Sequence, residues 1–106
     1  MVSEQTLSRV TDILKAAVPN AKIILFGSQA RGDARQGSDI DILVVEPEVR
    51  ARRREMVRLN DALRPLRLPV DIIVASRENY FEWSDMPGTV FHKAASEGRI
   101  LYDAAT

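Results

Sequence analysis

Gly27-Ser28-Gln29-Ala30-Arg31-Gly32-Asp33, followed by Ser38-Asp39-Ile40-Asp41-Ile42-Leu43-Val44-Val45, is the stretch whose reading decides the fold. The second part predicts a strand over Asp39–Val45, closed by Pro47. Residues i and i+2 of a strand face the same way, so Asp39 and Asp41 present two carboxylates side by side, with α-carbons roughly 6.5–7 Å apart. Like charges held that close repel, and a cation between them is the natural compensation. Leu43 and Val45 continue the same face, so the acidic end of the strand belongs at a sheet rim and the other end in the core.

Working outward, Lys22–Phe26 predicts a strand that stops at the Gly27-Ser28 turn. Residues 28–37 predict one short helical turn and a loop. Val70–Ala75 predicts a third strand, with Asp71 at its second position; an acid inside an apolar strand is costly unless it is paired or metal-bound. The three carboxylates can meet only if the second and third strands are parallel, and residues 46–68 are long enough for the crossover helix such a pair needs. Ser28 leaves the first strand, which must therefore run antiparallel to the second.

The expected sheet is mixed, in the order 1-2-3. Ile100–Tyr102 is a further short edge strand. Helices are expected over the segment from Ser3 to Pro19, with Leu7, Val10, Ile13, Leu14 and Ala17 at helical spacing, and over 48–64, with Met56, Leu59, Leu63 and Leu66 as the buried stripe. Two short helices follow at 76–83 and 87–97, the second with Pro87 in its first turn and Gly98 as its stop. Helices alternating with strands give a single α/β (α+β) domain over residues 1–106, with three to four strands and flanking helices.

Composition narrows the chemistry. The chain has 106 residues, no cysteine and one histidine, His92. Disulfide scaffolds, thiolate zinc sites, thiol catalysis and multi-histidine metal sites are excluded, so a metal here is a hard cation on oxygen ligands. Fifteen basic and fifteen acidic side chains cancel, which argues against nucleic acid as partner. No apolar run approaches membrane-spanning length, and Met1-Val2-Ser3-Glu4-Gln5 carries no secretion signal, so a cytoplasmic domain without membrane contact is expected.

Gly27-Ser28 suits phosphate: glycine permits a sharp turn and close approach, and Ser28 offers a hydroxyl and an amide at the start of a helical turn. A P-loop is excluded because Asp33 stands where its lysine belongs. Arg31 either contacts a triphosphate or pairs with Asp33 or Asp39.

Taken together, Gly27-Ser28-x-Ala30-Arg31-Gly32 and Ser38-Asp39-Ile40-Asp41 closely resemble the signature of the DNA polymerase β-like nucleotidyltransferases. The small size and the tail Gly98-Arg99-Ile100-Leu101-Tyr102 resemble the minimal nucleotidyltransferase (MNT) group, over about Leu7 to Tyr102. The resemblance implies that Asp39, Asp41 and Asp71 hold two magnesium ions and that Gly27 and Ser28 hold a nucleoside triphosphate, ATP by family analogy. It implies transfer of a nucleoside monophosphate to a hydroxyl, a tyrosine of a HEPN-type toxin, with this chain as antitoxin. The alternative is a cap that retains the fold and acts by binding the partner without chemistry.

Two further clusters stand out. Arg50, Arg52, Arg53, Arg54, Arg58, Arg64 and Arg67 are opposed in their stretch by Glu55 and Asp61, and such faces are usually solvated. Tyr80, Phe81, Trp83, Met86 and Phe91 crowd the C-terminal third, more apolar bulk than a small sheet needs. The docking surface for a protein acceptor is expected at one of these, near Arg53 and Arg54 or around Tyr80 and Trp83.

Overall fold

A computed structural model describes residues 2–105. Met1 and Thr106, the outermost residues of the expected 1–106 domain, lie outside the described residues, as does the part of the N-terminal reading that falls on Met1.

Helix α1 spans Glu4–Ala17 and buries Leu7, Val10 and Leu14. Ser3 caps it, its hydroxyl accepting the Thr6 N–H at 3.1 Å. Thr6 does not complete a capping box; its own hydroxyl accepts from that of Ser3 at 3.0 Å. Strand β1 (Lys22–Phe26), the one-turn helix α2 (Ser28–Arg31), strand β2 (Ile40–Glu46), helix α3 (Arg52–Leu63) and a 3-10 turn (Arg64–Leu66) follow. Strand β3 (Val70–Ser76), helices α4 (Arg77–Trp83) and α5 (Val90–Glu97), and strand β4 (Arg99–Asp103) complete the chain.

The sheet order is β3-β2-β1-β4. β1 is antiparallel to β2 and to β4, and β2 is parallel to β3 through the α3 crossover. This is the expected mixed sheet, with the C-terminal strand on the free edge of β1. Its two faces carry separate cores. On one face, Ile23, Leu25, Ile40, Ile42, Val44, Ile72 and Val74 pack with Leu7, Val10 and Leu14 of α1 and Leu59 and Leu63 of α3. On the other, Ile24, Phe26, Leu43, Val45 and Ala75 pack with Ala94 of α5, joined by Tyr80, Val90 and Phe91. The period of two in the strands divides these sets.

Three boundaries differ from expectation. The long helix begins at Arg52 rather than near residue 48, because the chain needs residues 47–51 to turn from the end of β2 and half-bury Val49 beside the first core. The second short helix begins at Val90, not at Pro87: Thr89 is the cap, its hydroxyl accepting the His92 N–H at 3.1 Å. Asp39 stands just before β2 rather than inside it. Among the described residues no helix is long and apolar enough to cross a membrane.

Candidate functional site

Because β1 is antiparallel to β2 and β2 parallel to β3, the end of β1 and the starts of β2 and β3 share one rim. Phe26 pairs with Asp41, and Asp41 pairs with Asp71. Asp41 and Asp71 have the parity of Leu43, Val45, Ile73 and Ala75, which places them on the sheet face covered by α4 and α5.

Gly27 leaves β1 with φ +73° and ψ −157°, a backbone conformation open essentially to glycine. A Cβ built on it would overlap Oδ2 of Asp41 and lie 3.2 Å from Cγ of that carboxyl group. The turn is therefore pressed against the Asp41 carboxylate, and no side chain fits between them. Ser28 follows at the start of α2, half-buried. Its neighbour Gln29 is buried, accepting the Val2 N–H at 3.1 Å and donating to the Ser38 carbonyl at 3.4 Å. That bracket ties α2 to the residue preceding Asp39.

Asp41 feels the charges of both other acids. Burial, then the charge of Asp71, then that of Asp39, push the Asp41 carboxyl above its usual pKa, while Arg31 and Lys93 act the other way. Asp39 and Asp71 themselves are exposed and Asp41 is half-buried. Among the described residues, no three His, Asp or Glu side chains stand close enough to grip one metal ion. The expected triad is thus a rim of mutually repelling carboxylates, not a closed cage. Its chemistry fits magnesium: the donors are all carboxylate oxygens on a rigid base, and their repulsion is what a hard cation relieves.

Arg31 pairs with Asp33, Nε to Oδ2 at 3.3 Å, and with Glu97 of α5, Nη1 to Oε1 at 3.1 Å. The pairing with Asp33 is one of the alternatives the sequence leaves open; the bond to Glu97 is not. Glu97, Lys93 and Gln29 all escape sequence reasoning. Lys93 and Glu97 reach the rim only because α5 folds over the sheet, and nothing local distinguishes Gln29 from a surface glutamine.

The remaining clusters divide. Tyr80 and Phe91 meet edge to face, ring centroids 6.5 Å apart, within the second core. Phe81 is 84% exposed, and Trp83 and Met86 are also exposed. On α3, Arg53 and Arg54 are exposed, while Arg58 bonds Glu55 and the Ala17 carbonyl and Arg64 bonds Asp61. His92 Nδ1 lies 3.2 Å from the Ser84 carbonyl, a structural contact.

Residues 7–101 match the family model described as nucleotidyltransferase domain. No match to a curated protein was found. Among solved structures, the fold is similar to a toxin–antitoxin crystallised with AMP-PNP, at 22% identity and TM-score 0.66, covering 92% of this chain and 73% of that one. It is also similar to a chain in the complex of tri-AMPylated Shewanella oneidensis HEPN toxin with MNT antitoxin, at 18% identity and TM-score 0.61, covering 95% and 73%. At these identities the likeness is one of fold.

Proposed function

Since the chain belongs to the nucleotidyltransferase domain family, we propose that it is a magnesium-dependent nucleotidyltransferase that moves AMP from ATP to a tyrosine hydroxyl of a HEPN-type toxin, acting in the cytoplasm as an antitoxin. The observation that carries this reading is the junction of Gly27 with the carboxylate rim. A turn that admits no side chain abuts Asp41, which stands in register with Asp71. A triphosphate held at that turn meets the acids directly. The similar structures support the choice of nucleotide and partner: one holds AMP-PNP, and another is a HEPN toxin carrying AMP groups beside an MNT antitoxin.

In this reading the backbone and hydroxyl of Gly27 and Ser28 hold the triphosphate, and Arg31 contacts a phosphate. Asp39, Asp41 and Asp71 would hold two magnesium ions, which supply charge neutralisation on the phosphates. The acceptor oxygen bonds to the α-phosphorus as the α–β phosphoanhydride breaks. Pyrophosphate departs, and the hydroxyl proton passes to Asp71, the carboxylate assigned to the acceptor side.

The test is incubation with labelled ATP, magnesium and the protein encoded beside it, with intact-mass analysis for added AMP. Asp39→Ala with Asp41→Ala should abolish transfer and neutralisation while the partner still binds. Neutralisation by that double variant would establish capping in place of catalysis. Absence of pyrophosphate release with every acceptor would overturn the enzymatic reading.

A further inference from the structure

Arg31 leaves the same one-turn helix that begins at Ser28; its N–H donates to the Gly27 carbonyl at 3.0 Å. Its guanidinium is nevertheless claimed by carboxylates on two edges, Asp33 at Nε and Glu97 at Nη1. Asp33 is local. Glu97 comes from the last residue of α5, far along the chain.

We propose that Glu97 is a latch, a carboxylate that occupies on Arg31 the place of a triphosphate oxygen, so that nucleotide entry exchanges one anion for the other. The proposal rests on the nucleotidyltransferase reading and deepens it by naming a positioning residue that sets nucleotide affinity. Four features support the exchange. The guanidinium is a planar fork with five N–H donors, so Asp33 can keep Nε while the outer edge changes partner. The pair is open to solvent, with side-chain exposures of 43% for Arg31 and 27% for Glu97. Exposed pairs of this kind are weak, and a phosphate oxygen with its higher charge displaces a carboxylate.

Lys93 lies one turn before Glu97 on α5 and is exposed, so it can receive the released carboxylate as an i,i+4 partner. Finally, the pair is not what docks α5. Ala94, Val90 and Phe91 bury the helix against the sheet, so loss of the ion pair leaves the packing in place. Arg31 and Lys93 also both act on the Asp41 carboxyl, which sets the exchange at the edge of the carboxylate rim.

The experiment measures binding of magnesium-ATP, and separately of inorganic tripolyphosphate as a probe without a base, to the full chain. The proteins are wild type, Glu97→Gln, Glu97→Ala, Arg31→Ala and the Arg31→Ala, Glu97→Gln double variant, with folding verified by circular dichroism. Glu97→Gln should tighten both ligands about two- to fivefold, the scale an exposed ion pair supports, and Glu97→Ala by at least as much. In the Arg31→Ala background the gain should vanish. In transfer assays KM for ATP should fall with kcat unchanged, a split that structural damage would not produce. Unchanged or weaker binding by both Glu97 variants, or an equal gain without Arg31, overturns the latch alone. A wild-type chain that binds neither ligand overturns the nucleotidyltransferase reading and the latch with it.

Discussion

Asp41 and Asp71 face each other in register across the parallel β2–β3 pair, on the sheet face that α4 and α5 cover. Burial, and then the charge of Asp71, raise the Asp41 carboxyl above its usual pKa. Asp71→Asn removes one of the opposing charges. Its stability without ligand should stay level or rise by up to about 0.5 kcal/mol, within the usual range for a surface substitution. Wild type at a hundredfold excess of magnesium-ATP over Kd should gain about 2.7 kcal/mol by mass action. Asp71→Asn should lose most of that gain. Thermal denaturation with and without magnesium-ATP reads both quantities, and an unaltered ligand response would remove Asp71 from the site.

Gly27→Ala adds a steric demand to a strained turn. The new methyl meets the Asp41 carboxylate, and the backbone conformation is itself unfavourable for alanine. A loss of about 1–3 kcal/mol is expected from the backbone alone, together with loss of nucleotide binding. Gly88→Ala is the control: Gly88 also has positive φ, +91°, but nothing lies within 4 Å of the place a Cβ would take there. It should lose stability and keep nucleotide affinity. Equal nucleotide binding by the two variants would separate Gly27 from the ligand.

At the opposite end of β2, the half-buried Glu46 lies beside Glu55, and its Oε2 is buried without a hydrogen-bond partner among the described residues. Burial and the neighbouring Glu55 push Glu46 up to about 7. The Arg58 guanidinium, then Glu46 itself, pull Glu55 down to about 2. The signs are opposite. Glu46 binds its proton more tightly folded than unfolded, so its contribution is present at acid pH and fades as pH rises from about 4.5 through about 7. Glu55 contributes above its ordinary pKa of 4.5 and loses that contribution as pH falls toward about 2. Tm should therefore fall by roughly 4 °C between pH 5 and pH 8, the equivalent of about 1 kcal/mol in a domain of this size. Glu46→Gln should flatten that slope. A slope unaltered by the substitution would assign it to other groups.

Phe81, Trp83 and Met86 stay exposed on and after α4, whereas Tyr80 and Phe91 are spent on the second core. The expected docking surface in this cluster, if it is used, reduces to the first three. Trp83→Ala and Phe81→Ala should fold normally and weaken binding of the proposed HEPN-type partner by about 1 kcal/mol or more each, as aromatic anchors of interfaces do. Arg53→Ala with Arg54→Ala should have the smaller effect. Normal partner binding by all of these variants would place the interface elsewhere.

What could be read in advance follows from the range of each signal. The strands were legible because alternation and turn residues act over a few positions. Asp39, Asp41 and Asp71 then dictated a parallel pair and an antiparallel neighbour, since only that arrangement brings them to one rim. The start of α3 was not legible: residues 47–51 are set by the turn that Val49 makes into the core, and Arg52 is held by a bond from its Nε to the Val74 carbonyl at 2.9 Å. Pro87 has the look of a first-turn residue, but Thr89 supplies a side-chain acceptor that proline lacks. Glu97 and Lys93 belong to the rim only through tertiary placement, which no spacing along α5 announces.

The edge position of β4 has a consequence for the order in which the molecule comes apart. Its ties are remote in sequence: Arg99 holds Glu4 across 95 positions, and Tyr102 donates to the Pro19 carbonyl across 83. Closing such long loops slows formation, and Arg99 and Ile100 are exposed on that strand. β2, by contrast, is hydrogen-bonded on both sides and buries Ile40, Ile42, Leu43 and Val44 completely. The edge strand β4 should therefore open locally before the centre of the sheet. Backbone amides of β4 should exchange with solvent through a shallower opening than those of β2. Asp39 and Asp41 stand at the start of the central strand β2, whereas Glu97 stands two residues before the edge strand β4.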